Sequence, residues 1–225
     1  MSRDVIALLA SFAYVFAAIG AAEGLRKWLG QAKPDTYDVD FTRKFIHVAV
    51  GMWAYGTVLL FENRVFAIIP PLSFVAINAF SYWRGTFKAM ETGEEGNLGT
   101  IYFPLSFAVL IWAFWGRPYL IVAGLMPMTW GDALAAVVGR RIGRRRYTVL
   151  GSTRSAEGSM TMFVASWLAT SMALLLLGAG DPIAALLVSA VTAFGAAIVE
   201  AVSPWGIDNL TVPAVSALIL ALMLA

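Results

Sequence analysis

The 225 residues are 60% hydrophobic and only 13% charged, about half the ~25% charged share of a soluble domain. With a mean hydropathy of +0.75, most of this chain belongs in lipid. The lack of cysteine excludes disulfides and thiol-ligated metals, and a single histidine, His47, excludes a multi-His metal site.

Apolar runs near the ~20 residues needed to cross a bilayer lie at 5–25, 45–61, 65–83, 101–115, 118–138, 159–178, 182–202 and 209–225. They predict an all-α polytopic membrane bundle of about eight helices, seven if the fourth and fifth runs form a partly re-entrant pair around Gly116-Arg117-Pro118. The first run lacks a strongly basic start and a clear cleavage site, so it reads as a retained helix. There is no internal repeat, and residues 1–225 form one transmembrane domain. Its polar segments are 26–44, 84–99, 139–158 and 203–208.

Placement of the basic residues sets an expected orientation. Thirteen of the sixteen Lys and Arg fall in odd-numbered connections, and only Arg3, Arg64 and Arg117 fall on the other side. The positive-inside rule then puts the odd connections in the cytoplasm and both termini outside. The polar motifs share that cytoplasmic side, where nucleotides are found.

Taken in chain order, the first motif is Arg43-Lys44-Phe45-Ile46-His47. Its cations stand three and four positions from the imidazole, so they can address one helical face. Such a group suits polyphosphate recognition or proton transfer, as well as ordinary interfacial packing. Next, Glu94-Glu95-Gly96-Asn97-Leu98-Gly99-Thr100 precedes a helix. It reads equally as an N-terminal cap or as a backbone clamp on a phosphate, with acids nearby for Mg²⁺.

Asp132 lies about seven residues inside the end of the fifth helix. An ionised Asp in such a place costs at least ~2.5–3.5 kcal/mol on insertion scales, so it is expected to face a polar cavity. Gly131 allows a ligand or helix to approach, and Gly139 lies two turns on, on the same face. Arg140, Arg141, Arg144, Arg145 and Arg146 follow; alone, such a run is often a topology anchor or an anionic-lipid contact. Gly151-Ser152-Thr153-Arg154-Ser155-Ala156-Glu157-Gly158-Ser159 adds small residues whose N–H groups can point at a phosphate. Ser155 also suits a helix N-cap and Glu157 a first-turn acid. Finally, Asp208 and Asn209 close a short turn through Pro204 and Gly206, with Glu200 one helix turn before it. Asp208 reads as a cap, or with Asn209 and Glu200 as hard oxygen ligands for Mg²⁺.

Five stretches in this order resemble the membrane family of phytol kinases, dolichol kinases and yeast-type diacylglycerol kinases. They are R-K-F-I-H at 43–47, G-N-L-G-T at 96–100, G-D-A-L-A-A-V-V-G-R-R-I-G at 131–143, R-S-A-E-G-S at 154–159 and E-A-V-S-P-W-G-I-D-N-L-T-V-P at 200–213. The resemblance spans roughly 41–215. It implies a CTP-dependent kinase of lipid alcohols with Mg²⁺ as cofactor, although Arg154 stands where the family often has Lys.

On that reading Asp132, Glu200, Asp208 and Asn209 hold the metal. Asp132, His47 and Lys44 serve the chemistry, with His47 or Asp132 taking the hydroxyl proton. The nucleotide contacts are Arg43, Asn97, Gly99, Thr100, Gly139, Arg140, Arg144, Arg154, Ser155, Glu157 and Gly158. The acceptor would be a long isoprenoid alcohol of the phytol, geranylgeraniol or polyprenol type. The alternatives are a diacylglycerol kinase and a cytidylyltransferase acting on a lipid phosphate, akin to CDP-diacylglycerol synthases. A transporter for an anionic solute is a further rival, disfavoured because the polar residues gather at one face.

Overall fold

The computed structural model describes residues 2–32, 39–84 and 97–225. Among them, helices occupy all eight apolar runs: α1 (Arg3–Ala32), α2 (Val39–Leu60), the broken pair α3 (Arg64–Ala67) and α4 (Ile69–Arg84), and α5 (Gly99–Phe114). A composite helix follows, made of α6 (Pro118–Met126), a π-helical turn (Pro127–Asp132) and α7 (Ala133–Ile142). The last three are α8 (Ala156–Leu176), α9 (Pro182–Val202) and α10 (Asp208–Met223).

Five of these segments are long and apolar enough to cross a membrane: Arg3–Leu29, Arg64–Arg84, Pro118–Ile142, Ala156–Leu176 and Pro182–Val202. Helices α5 and α10 have 16 residues each, roughly 24 Å at 1.5 Å per residue, short of the ~30 Å hydrocarbon thickness. The composite helix is the central post. Its apolar window is 72% buried, against 22–39% for the other four. Leu120, Ile121, Val122, Ala123 and Leu125 have no exposed surface at all.

Proline shapes that post where the site will be. Pro127 has no N–H to offer the carbonyl four residues back, and its ring crowds that carbonyl. The helix widens into the π turn Pro127–Asp132, a feature often found at functional positions. Gly131 within it admits α8: a Cβ there would sit 2.1 Å from Ser166 Oγ. Of the two partners foreseen for this glycine, the structure shows the neighbouring helix.

The 139–158 segment is more ordered than a loop. Strands β1 (Arg146–Val149) and β2 (Ser152–Ser155) pair antiparallel, with Arg146 opposite Ser155 and Val149 opposite Ser152. Leu150 (φ 48°) and Gly151 (φ 81°) make the two-residue turn, the positive-φ geometry that matches strand twist. The hairpin lies at the end of the bundle where α7 stops and α8 starts.

The opposite end is closed by its own polar contacts. Arg3 binds Glu62 at 3.1 Å and the Leu59 carbonyl at 2.9 Å. Asp4 accepts the backbone N–H groups of Glu62 and Asn63. The Arg64 guanidinium lies 4.5 Å over the Trp112 ring. Arg3 and Arg64 thus mark the end remote from the hairpin, as the charge count anticipates.

Candidate active site

A cavity of about 720 Å³ opens at the hairpin end, walled by α2, α7, the hairpin, the starts of α5 and α8, and the α9–α10 connection. Twelve of the residues given a site role from the sequence line it: Arg43, Lys44, Asn97, Asp132, Gly139, Arg140, Arg154, Ser155, Gly158, Glu200, Asp208 and Asn209. They come from segments up to 166 positions apart, and only the fold brings them together.

At its floor, Asp132, Glu200 and Asp208 are all buried, and each offers a carboxylate oxygen within 4.8 Å of the other two. At about 5 Å and an effective dielectric of ~20, each pair of like unit charges repels by roughly 3 kcal/mol. The chain answers with two cations. Lys44 Nζ forms an ion pair with Asp132 Oδ2, both side chains largely buried. Arg154 Nε lies 2.7 Å from Glu200 Oε1, and its Nη2 lies 3.8 Å from Asp208 Oδ2. Arg154 is therefore held first by carboxylates, a partnership that spacing along the chain could not reveal.

Local structure explains how the carboxylates are aimed. Asp208 Oδ1 accepts both the backbone N–H and the side-chain amide of Asn209, each at 2.9 Å. Asn209 thereby orients Asp208 and leaves Oδ2 toward Arg154. Gly206, at φ 78°, turns the chain before α10. A Cβ there would fall 2.3 Å from Asn97 Oδ1, so only glycine lets this turn close on the segment before α5.

The fit to a divalent ion can be tested on the donors. Two oxygens on opposite sides of Mg²⁺ at 2.0–2.1 Å are about 4.2 Å apart, so a small side-chain rotation gathers the three. All three are hard anionic oxygens, as Mg²⁺ prefers. The set suits Mg²⁺.

Several of the sequence-picked residues also have local structural partners, and some lie away from the cavity. Asn97 Oδ1 accepts the Gly99 N–H at 3.0 Å, so this motif caps α5, and Gly99 packs against Asn209. Glu157 receives the backbone N–H groups of Arg144 and Arg145 at 3.1 and 3.3 Å. It anchors the stretch entering the hairpin, and neither Glu157 nor Arg144 lines the cavity. Ser155 caps α8 through the Gly158 N–H at 3.1 Å while still facing the cavity. His47 and Thr100 line a second, smaller cleft instead. His47 Nε2 lies 3.1 Å from the Met128 carbonyl. A carbonyl only accepts, so Nε2 carries the hydrogen, and in the neutral form of the ring that leaves Nδ1 as the acceptor. Glu94, Glu95 and Gly96 lie outside the described residues.

The residues assigned to the site from the sequence leave out several that line the cavity: Arg146, the small residues Ser152, Thr153 and Ser159 named above only for their backbone N–H groups, and Trp205. Arg146 reads as one of five similar arginines until the hairpin turns it inward. Trp205, at φ 53° and 71% exposed, presents a large aromatic face at the cavity wall. Its place beside Gly206 in a short polar turn is the one signal that could have drawn attention to it.

Neither a protein-family model nor a solved structure matches the chain. Curated proteins do. The phytol kinase of Synechocystis sp. is 36% identical over 182 residues, 80% of this chain and 78% of its own length. Probable phytol kinase 2, chloroplastic, of Glycine max is 30% identical over 190 residues, 79% and 63% of the two chains. The chloroplastic farnesol kinase of Arabidopsis thaliana is 28% identical over 170 residues, covering 70% and 55%. The chain therefore spans less than two thirds of both plant proteins.

Proposed function

The chain belongs to the family of phytol and farnesol kinases, and on that premise we propose that it transfers the γ-phosphoryl group of CTP to the hydroxyl of an isoprenoid alcohol. The observation that carries this reading is the cluster of three buried carboxylates, matched by Lys44 and Arg154, at the floor of a cavity ringed by Arg43, Arg140 and Arg146. Phosphoryl transfer asks a protein mainly for positioning and charge neutralisation, and this cavity offers both signs of charge in one place.

Asp132, Glu200 and Asp208 would hold Mg²⁺, which when bound offsets charge on the phosphates of the nucleotide. Arg43, Arg140 and Arg146 would receive the outer phosphate oxygens. Small residues at the start of α8, Ser155 and Gly158, leave room for them. The alcohol oxygen attacks the γ-phosphorus, the bond to the bridging oxygen of CDP breaks, and the hydroxyl proton goes to His47 Nδ1. Asp132 is less available as base because Lys44 already holds it.

Purified protein incubated with labelled CTP or ATP and with phytol, geranylgeraniol, a polyprenol or diacylglycerol tests this directly. Release of CDP together with a prenyl monophosphate is expected. Pyrophosphate release would replace the kinase with a cytidylyltransferase, and lack of turnover with every alcohol would sink the proposal.

The basic residues around the cavity support a cytoplasmic position for it, with both termini across the membrane. The chain has no cysteine of its own, so a single Thr148→Cys on the exposed face of β1 gives a clean readout. It should react with a membrane-impermeant maleimide only after cells are opened. Labelling from outside intact cells would invert the topology.

A further inference from the structure

Resting on the prenyl-alcohol kinase reading, we propose that the acceptor alcohol binds in the second cleft, between α1, α2, α4 and α5, and that Asn78 receives its hydroxyl. This cleft holds about 70 Å³ and meets the larger cavity at Arg43, which lines both. Its walls are apolar, with Val15, Ile19, Val50, Phe74 and Phe103 prominent, and its polar groups include Asn78 and His47.

Asn78 owes its orientation to a proline on the next helix. Pro104 lies inside α5 and has no N–H for the carbonyl of residue 100, four positions back. Asn78 Nδ2 supplies the missing donor, 2.7 Å from the Thr100 carbonyl. A carbonyl cannot donate, so the amide nitrogen must face it and the amide oxygen must face elsewhere. That oxygen is buried and has no hydrogen-bond partner among the described residues, in a side chain lining the cleft and only 7% exposed. A buried acceptor left unpaired costs free energy until a donor arrives.

An alcohol brings the required donor on a slender apolar body. A carboxylate or fully ionised phosphate headgroup has no hydrogen to give, and beside Asn78 its charge would be set against the buried amide oxygen. The volume admits a hydroxyl and the first few carbons. The rest of a prenyl tail would extend among the lipids, so chain length should matter little. Rotation about the alcohol's C–O bond then turns the O–H from Asn78 toward His47 Nδ1 as transfer begins.

Asn78→Leu keeps the side-chain size and removes the acceptor. The KM for geranylgeraniol should rise about tenfold, the worth of one such hydrogen bond, while the KM for CTP stays unchanged. An unchanged alcohol KM in folded variant overturns the proposal. Because leucine also leaves the Thr100 carbonyl unpaired and can impair folding, the unaltered protein provides a second measurement. A photoactivatable geranylgeraniol carrying a diazirine near its hydroxyl should crosslink to peptides of α1 and α4. Crosslinks confined to α8 and α9 would refute the cleft even in an active kinase. Failure to phosphorylate any prenyl alcohol would instead remove the kinase reading on which the cleft depends.

Discussion

Asp132→Asn and Asp208→Asn should each lower turnover about a thousandfold while the protein still inserts and folds. The substitution keeps size and shape and removes one charge from a site built around charge. A bound divalent ion contributes several kcal/mol of charge stabilisation in such reactions, and ~4 kcal/mol is about a factor of a thousand in rate. Folding should tolerate the amide, because three carboxylates within 4.8 Å of one another repel, and losing one relieves that repulsion. Turnover and Mg²⁺-dependent CTP binding measured on the same preparations decide the matter. Near-normal turnover in Asp132→Asn would return this residue to a packing role.

Those carboxylates were legible in the sequence because an acid in an apolar helix carries its own flag. Asp132 and Glu200 interrupt stretches that otherwise hold no charge, and the insertion penalty makes such a residue improbable without a polar destination. The helices were equally legible, since eight apolar runs became eight helical segments. What failed to show were features decided by contact between segments. The hairpin has strands of four residues each, too short for alternation to register, and Leu150 is not a residue expected at positive φ. The partnership of Arg154 with Glu200 joins positions 46 apart in sequence, and Glu157 looked like a phosphate-site residue until its oxygens met the Arg144 and Arg145 amides.

Asn78 shows the same limit most clearly. An asparagine in the third apolar run is visible, and so is a proline inside the fourth. That the first repairs the hydrogen bond broken by the second requires knowing that α4 packs on α5 at that level. His47 is a second case. Its spacing from Lys44 suggested one shared face, and the two side chains do meet the same post one turn apart, Lys44 at Asp132 and His47 at the Met128 carbonyl. What spacing could not show is that His47 opens onto the second cleft, its ring tilted against Phe103 with centroids 4.0 Å apart. Helix α2 thus divides its polar residues between the two cavities, and Arg43 stands where they meet.

Lys44→Met should be more destructive to the folded protein than either Asp→Asn change. Removing one partner of a buried ion pair leaves the other charge uncompensated, at a cost of ~3–5 kcal/mol. Here the surviving charge is Asp132, already beside two other carboxylates, with Arg154 ion-paired to that cluster. The reverse loss is milder: in Asp132→Asn the flexible Lys44 can turn to Glu200 or Asp208. Three outcomes follow from this asymmetry. The detergent-solubilised Lys44→Met variant should melt well below the parent, and millimolar Mg²⁺ should recover part of the difference, since an ion that binds only the folded state stabilises it. Combining Lys44→Met with Asp132→Asn should restore the melting temperature toward that of the parent but leave turnover as low as in Asp132→Asn alone. Were the double variant as unstable as Lys44→Met, the lysine would be holding α2 in place by packing, and its charge would not be what the carboxylate cluster requires.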